Sequence, residues 1–225
     1  MKLHLGCGMN YLDGWVNIDV MDNAKVDIHS QIEDLDYPDN SIDEILLMAV
    51  FEHFPRHVAI MQLRKFYKWL KNKGIINVLV PDFWGTIKKM QESKSVREQQ
   101  FWYRHIFGPQ DTAQFGTHYD GFDVNKMLWM FQIVGFNEGK YMMFEQWPNI
   151  SFRGIKDKKI KSDADAERDI IDYMATYEAK VEGGTLFKAW MDSMGLKAEK
   201  PDTPIFDTQF VKGKVDDNSK RNTRR

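Results

Sequence analysis

Two hydrophobic periods take turns along the chain, and the switching between them predicts strands and helices in alternation. Leu3 to Leu5 is a short apolar run closed by Gly6, Cys7 and Gly8, the mark of a buried strand that ends in a tight glycine turn. A compressed connection of about one helical turn leads to a second β-rich run, Trp15 to Val20, with Asp19 near its end. Lys25 to Ile28 predicts a third strand, and the polar turn from Tyr37 to Ser41 introduces a fourth over Ile42 to Val50. The period then changes: Val58, Met61, Leu63, Phe66, Tyr67, Trp69 and Leu70 fall close to helical spacing, with Lys71 to Gly74 supplying basic residues and a glycine stop. Ile75 to Val80 is continuously apolar, as a central parallel strand buried on both faces would be.

Residues 83–122 are aromatic and polar, without clean periodicity in their second half, and read as an insertion that serves a site. A helix resumes between Asp123, a candidate N-cap, and Gly135, a stop. Lys140 to Trp147 and Ile150 to Lys156 read as a hairpin around Pro148 and Asn149. Ser162 or Asp163 caps a helix with Ile170, Ile171, Met174, Tyr177 and Val181 on one face, and Thr185 to Met194 predicts another with Leu186, Trp190 and Met194 aligned. Those faces need a partner surface, which makes a homodimer through the C-terminal helices an expectation. The predicted class is α/β, a Rossmann-like doubly wound and mostly parallel sheet with a C-terminal antiparallel hairpin. Residues 1–156 form the main domain, 157–211 a helical extension and 212–225 a disordered basic tail.

Composition narrows the function classes. With 43% hydrophobic and 28% charged residues the 225-residue chain falls in the globular range. A formal charge of −2 argues against a surface built to neutralise phosphates, so nucleic acid is not the expected partner. No apolar run reaches membrane-spanning length, and Ile42 to Phe54 is interrupted by Asp43, Glu44, Glu52 and His53. A single cysteine, Cys7, and no leading signal segment make a reducing, cytoplasmic setting the expectation. The chain opens directly on its first strand, so the insertion and the C-terminal helices are expected to cover any acceptor.

A glycine turn after a strand lets backbone approach a ligand, although many such turns are only turns. The dinucleotide fingerprint fails, because the position of its third glycine holds Tyr11. Asp19 follows Gly8 by eleven residues at a strand end, where a carboxylate can accept two ribose hydroxyls; a nucleoside without a cradled diphosphate fits better. The plain alternative is a solvated strand-end acid.

The series Leu5, Gly6, Cys7, Gly8, then Gly14, Trp15, Asn17 and Asp19 resembles the class I S-adenosylmethionine-dependent methyltransferases, in particular a branch with a shortened first crossover. The likeness continues through Pro38 to Ile45, the pair Glu52 and His53, Leu70 to Gly74, Val80 to Phe83, Ile106 to Gln110, His118 and Val134 to Phe136, and covers about residues 1–156. It implies S-adenosylmethionine as cofactor, with Gly6, Cys7 and Gly8 against the methionine part and Asp19 on the ribose. The adenine position, usually an Asp, holds Gln31 followed by Ile32, with Asp34 as the alternative acceptor if the register slips. Met48 and Glu52 at the fourth strand's end complete the implied cofactor set.

Alignment and removal of the acceptor's proton then fall to the protein. His53, just past the fourth strand, His118 in the insertion, and Asp82 at the end of the fifth strand are the candidate catalytic residues. Each has a plain counterpart: a histidine that caps a helix or holds a loop, an ordinary strand-end acid. His105 is a weaker candidate, His4 is structural, and no metal ligand set is assigned. Aromatics of the insertion, Trp84, Phe101, Trp102, Tyr103, Phe107, Phe115, Tyr119 and Phe122, are candidates to stack on an acceptor. The leading expectation is O-methylation of a small molecule or a glycan. A noncatalytic cofactor-binding scaffold and, against the lack of a base-gripping motif after strand four, a nucleic-acid methyltransferase are the other readings.

Overall fold

The computed structural model of the chain describes residues 1–22, 24–110, 116–158, 160–177, 185–197 and 214–215. Phe115, Val181 and nearly all of the expected tail lie outside them. Eight strands form one sheet: β1 (Lys2–Leu5), β2 (Val16–Asp19), β3 (Ile28–His29), β4 (Ile42–Met48), β5 (Leu70–Pro81), β6 (Glu138–Phe144), β7 (Asn149–Ile155) and β8 (Lys214–Val215). Their order is β3-β2-β1-β4-β5-β7-β6-β8. The first five strands pair in parallel, while β7 runs antiparallel between β5 and β6. The doubly wound order expected from the sequence is therefore present, with the hairpin folded back so that its second strand is the inner one.

Among the described residues six α-helices accompany the sheet: α1 (Arg56–Trp69), α2 (Phe83–Glu92), α3 (Val96–Phe107), α4 (Val124–Val134), α5 (Asp163–Ala175) and α6 (Thr185–Met194). Asp123 accepts from the Lys126 backbone N–H and Ser162 from that of Asp165, so both N-caps act as their side chains predict. One sheet face is dry: Leu3, Leu5, Ile18, Ile45, Leu47, Ile76 and Val78 are fully buried there, in one core with Ile60, Leu63 and Phe66 of α1. Ile170, Tyr173 and Met174 of α5 and Phe187 and Met191 of α6 join that same core. The C-terminal helices thus find their partner in α1 and α4 of the same chain, but on α6 the buried residues are Phe187 and Met191, and Leu186 of the expected face is exposed.

The opposite face departs from expectation. Ile75, Asn77 and Leu79 of β5 are only half-buried, not enclosed on both sides. The described residues between β1 and β2 and between β2 and β3 hold turns and no helix, so no helical layer from those crossovers reaches this face. Side chains do the stitching instead. Asn17 accepts from the Leu12 N–H and donates to the Leu12 and Trp15 carbonyls, clipping the short connection to β2. His4, fully buried, bonds Asn17 Oδ1 through Nδ1, and Trp15 packs edge-on against its ring.

Three boundaries move. The hairpin turns over residues 145–148, earlier than Pro148 and Asn149, with Asn149 already paired to Phe144 as the first residue of β7. The third strand lies at Ile28–His29, later than Lys25 to Ile28, as a two-residue edge pair with β2. Lys71 to Gly74 is not a turn after the helix: β5 begins at Leu70, pairs with Ile42, and bulges before pairing resumes at Glu44 and Ile75. Lys73, not Gly74, takes the left-handed backbone conformation (φ 67°). Gly74 is needed for closeness, since a Cβ there would lie 2.8 Å from the Lys71 carbonyl oxygen.

Candidate active site

Two cavities open side by side at the carboxyl ends of the parallel strands. The first, about 330 Å³, lies against Gly6, Cys7, Gly8, Asp19 and Met48 on one side and Gln31 and Ile32 on the other. Gly6 and Gly8 both have positive φ, 65° and 51°. A Cβ on Gly6 would lie 2.4 Å from a Val50 methyl, whereas one on Gly8 would meet nothing within 4 Å, because the turn faces open space there. Asp19, 7% exposed, accepts from the Gly8 N–H at 2.7 Å and from the Met21 N–H at 2.9 Å. Its carboxylate therefore locks the glycine turn as well as lining the cavity, a task that the sequence did not suggest for it. Asp34 lies outside the cavity wall, and its neighbour Glu33 lines it instead. Asn10, Met21 and Ser30 are further wall residues that sequence reasoning missed, because single residues in loops carry no periodic signal.

The second cavity, about 440 Å³, is assembled from remote segments: Glu52 and His53 after β4, Phe101, Arg104 and His105 on α3, His118, and Trp147 and Asn149 at the β6–β7 turn. The expected insertion is a helical hairpin, α2 and α3, fastened to the sheet edge through Trp102. That indole packs 5.6 Å from the Trp147 ring, while His105 Nε2 donates to the Pro148 carbonyl at 2.8 Å. Phe101 and Trp147 stay half-exposed at the cavity mouth. Trp84, Tyr103, Phe107 and Tyr119 are exposed away from its wall, and Phe122 is buried in the core.

Met21, Ala49 and His53 line both cavities, so His53 sits at their junction. Its Nδ1 donates to the Thr117 carbonyl at 3.0 Å, which leaves Nε2 as the free lone pair. The His118 ring stands 4.9 Å from that of His53, edge to face, with Nε2 4.0 Å from Glu52 Oε1. Glu52, 1% exposed, belongs to the second cavity rather than the first, and its Oε2 has no hydrogen-bond partner. Burial pushes its carboxyl up to about 8. Burial lowers both imidazoles, His118 to about 4 with repulsion from His53 adding to the effect, so each is neutral near pH 7. Asp82 lines neither cavity; it precedes α2, beside the Trp84 and Gly85 backbone N–H groups, and burial raises its carboxyl.

An outer cluster holds the His118 segment in place. Asp120 takes two bonds from Arg56, at 3.0 and 3.1 Å, and pairs with Lys126, while the Arg56 guanidinium lies 3.7 Å over the Tyr177 ring just after α5.

Residues 3–78 match a protein family described as a methyltransferase domain. The match spans about a third of the chain, which over that stretch is similar to a methyltransferase domain. The cofactor expected for such a domain is S-adenosylmethionine, and the glycine turn with its open Gly8 side suits such a ligand. Among solved structures, the chain is similar to an S-adenosylmethionine-dependent methyltransferase from Archaeoglobus fulgidus, with 13% identity over 69% of this chain and 85% of that one and a TM-score of 0.50. It is also similar to a chain of the Haloferax volcanii complex that contains the Trm112 methyltransferase activator, with 12% identity, 72% and 83% coverage and a TM-score of 0.50. A protein from Bordetella parapertussis described as a possible exported protein aligns at 9% identity with a TM-score of 0.49, and this chain spans 61% of its length. At these identities the likeness establishes the fold. No curated protein matches the chain. No helix of the described residues is long and apolar enough to cross a membrane.

Proposed function

We propose that the chain methylates an oxygen of a small-molecule or glycan acceptor held in the second cavity. The observation that carries this reading is the shared wall: Met21, Ala49 and His53 join a nucleoside-sized cavity to a histidine-lined one. When bound, S-adenosylmethionine supplies an electrophilic methyl group. Gly6, Cys7 and Gly8 would hold its methionine part, Asp19 the ribose, and Gln31, Ile32 and Met48 the adenine end. A neutral amide at Gln31 offers the adenine amino group one uncharged acceptor, which makes for weaker affinity than an Asp would.

In this reading the chain's own contribution lies in the second cavity. Half-exposed Phe101 and Trp147 offer ring faces suited to a sugar or an aromatic acceptor. Arg104 adds a cation to the same wall. His53 and His118, both neutral, handle the proton of the acceptor oxygen. In the proposed division of the chain, residues 1–156 form the methyltransferase unit and 157–211 a helical extension, which supports the acceptor side through Tyr177.

Calorimetry with S-adenosylmethionine and S-adenosylhomocysteine tests the first cavity, and release of S-adenosylhomocysteine across a panel of hydroxylated acceptors tests the second. Tight binding with turnover on one acceptor class is expected. Failure to bind either cofactor form would favour a noncatalytic scaffold instead.

A further inference from the structure

The second cavity contains a group that proton handling alone leaves unexplained. Glu52 is 1% exposed, its Oε2 has no partner, and among the described residues no Lys or Arg pairs with it. A buried carboxylic group with an unpartnered oxygen is costly, and a bound ion is one of the explanations such a group calls for. Glu52, His53 and His118 each present one donor atom, and the three lie within 4.8 Å of one another.

The imidazoles are already set in the way metal ligands are. His53 gives its Nδ1 proton to the Thr117 carbonyl, which fixes the tautomer that presents Nε2. His118 stands edge-on to the His53 ring with Nε2 4.0 Å from Glu52 Oε1. The segments carrying them are tied together by the Tyr119 N–H, which donates to the Glu52 carbonyl at 2.9 Å. Donors about 2.0–2.2 Å from a tetrahedral cation stand roughly 3.3–3.6 Å apart, so a closing of about 1 Å would complete the set.

We propose that Glu52, His53 and His118 bind a divalent first-row transition cation at the junction of the two cavities. Two imidazoles and one carboxylate favour Zn²⁺, Mn²⁺, Co²⁺ or Fe²⁺ over Mg²⁺ or Ca²⁺. Three protein ligands leave coordination positions open toward the second cavity, where Glu52 and His118 form the wall. An acceptor hydroxyl that takes such a position loses its proton to solvent more readily, because the cation stabilises the oxyanion left behind. The site rests on the proposed acceptor cavity, and it changes the part played there by the histidines: they hold the cation that activates the oxygen.

The test uses the full chain, stripped with chelator and titrated separately with Zn²⁺, Co²⁺ and Mg²⁺. Calorimetry should give one equivalent of Zn²⁺ or Co²⁺ with at least tenfold preference over Mg²⁺, and Co²⁺ should show the visible absorption of a low-coordinate site. Glu52→Gln and His118→Asn should each weaken binding tenfold or more, while S-adenosylhomocysteine affinity stays within about twofold of the parent. Absence of stoichiometric binding, or binding unchanged in both variants, overturns the proposal. If one variant fails to fold, His53→Asn together with the cobalt spectrum decides. S-adenosylhomocysteine binding without cation binding would sink the metal site and leave the cofactor reading standing; cation binding without S-adenosylhomocysteine would do the reverse.

Discussion

The two cavities share a wall but are built differently. The cofactor cavity is local. Gly6, Gly8 and Asp19 lie within fourteen residues, and Asp19 spends both carboxylate oxygens on backbone N–H groups of the same small region. The second cavity draws on Glu52, Phe101, His118 and Trp147, and the carboxyl at its heart has an unpartnered oxygen. A site whose polar groups satisfy one another can fold as a unit. A site that keeps an orphan must be held open by its surroundings, here the Trp102–Trp147 anchor and the Arg56–Asp120–Lys126 cluster. The contrast predicts that damage to one cavity should spare the other.

The largest effect should come at the second cavity. His118→Asn should cut turnover about 100-fold or more with any accepted substrate, while calorimetry shows S-adenosylhomocysteine affinity nearly unchanged. A parallel fall in that affinity would mean that the cavities are not separable. In the opposite direction, Gly6→Ala combines a strained positive φ with a clash against Val50, a penalty on the order of 2 kcal/mol. Affinity for S-adenosylhomocysteine should drop at least tenfold, with cation binding at Glu52, His53 and His118 retained.

A third substitution probes the scaffold of the second cavity alone. Asp120→Asn leaves two partly buried cations short of their counter-charge. It should cost about 2 kcal/mol in urea unfolding and raise the acceptor KM, with cofactor affinity unaltered. Loss of cofactor affinity as well would show that the His118 segment supports both sites.

The smallest effect concerns the clip beneath the cofactor cavity. Burial holds the His4 imidazole below its ordinary value of 6.5. Below about pH 6.5 the unfolded chain therefore takes up a proton that the folded chain refuses, and stability declines as pH falls. Urea midpoints at about pH 7.5 and about pH 5.5 should differ less in His4→Gln than in the parent chain. An equal slope in both would place the pH dependence elsewhere.

Much of the frame was legible because each element carried its own local signal. Short apolar or β-rich runs bounded by turns marked β1, β2 and β4, helical spacing marked α1, and Asp123 and Ser162 announced α4 and α5 as caps. Where local signals were ambiguous the reading slipped. Lys71 to Gly74 has turn composition and bulges from the ladder inside β5, whose pairing with β4 at Leu70 and again from Ile75 keeps the strand running on both sides of it. Buried faces on both sides of β5 were expected from an apolar run alone, but what covers a strand is decided by the crossovers, and two of these carry no helix among the described residues.

By itself the sequence determined the strand-and-helix alternation and the glycine turn with its acid, because backbone conformation and short-range spacing are written in neighbouring residues. Tertiary structure alone decided that Glu52 would be buried without a full set of partners, that His53 and His118 would meet, and that Asp82 would point elsewhere. Those facts depend on how segments some 65 residues apart are brought to one sheet edge, and burial and partner choice are properties of that packing rather than of any residue in the chain.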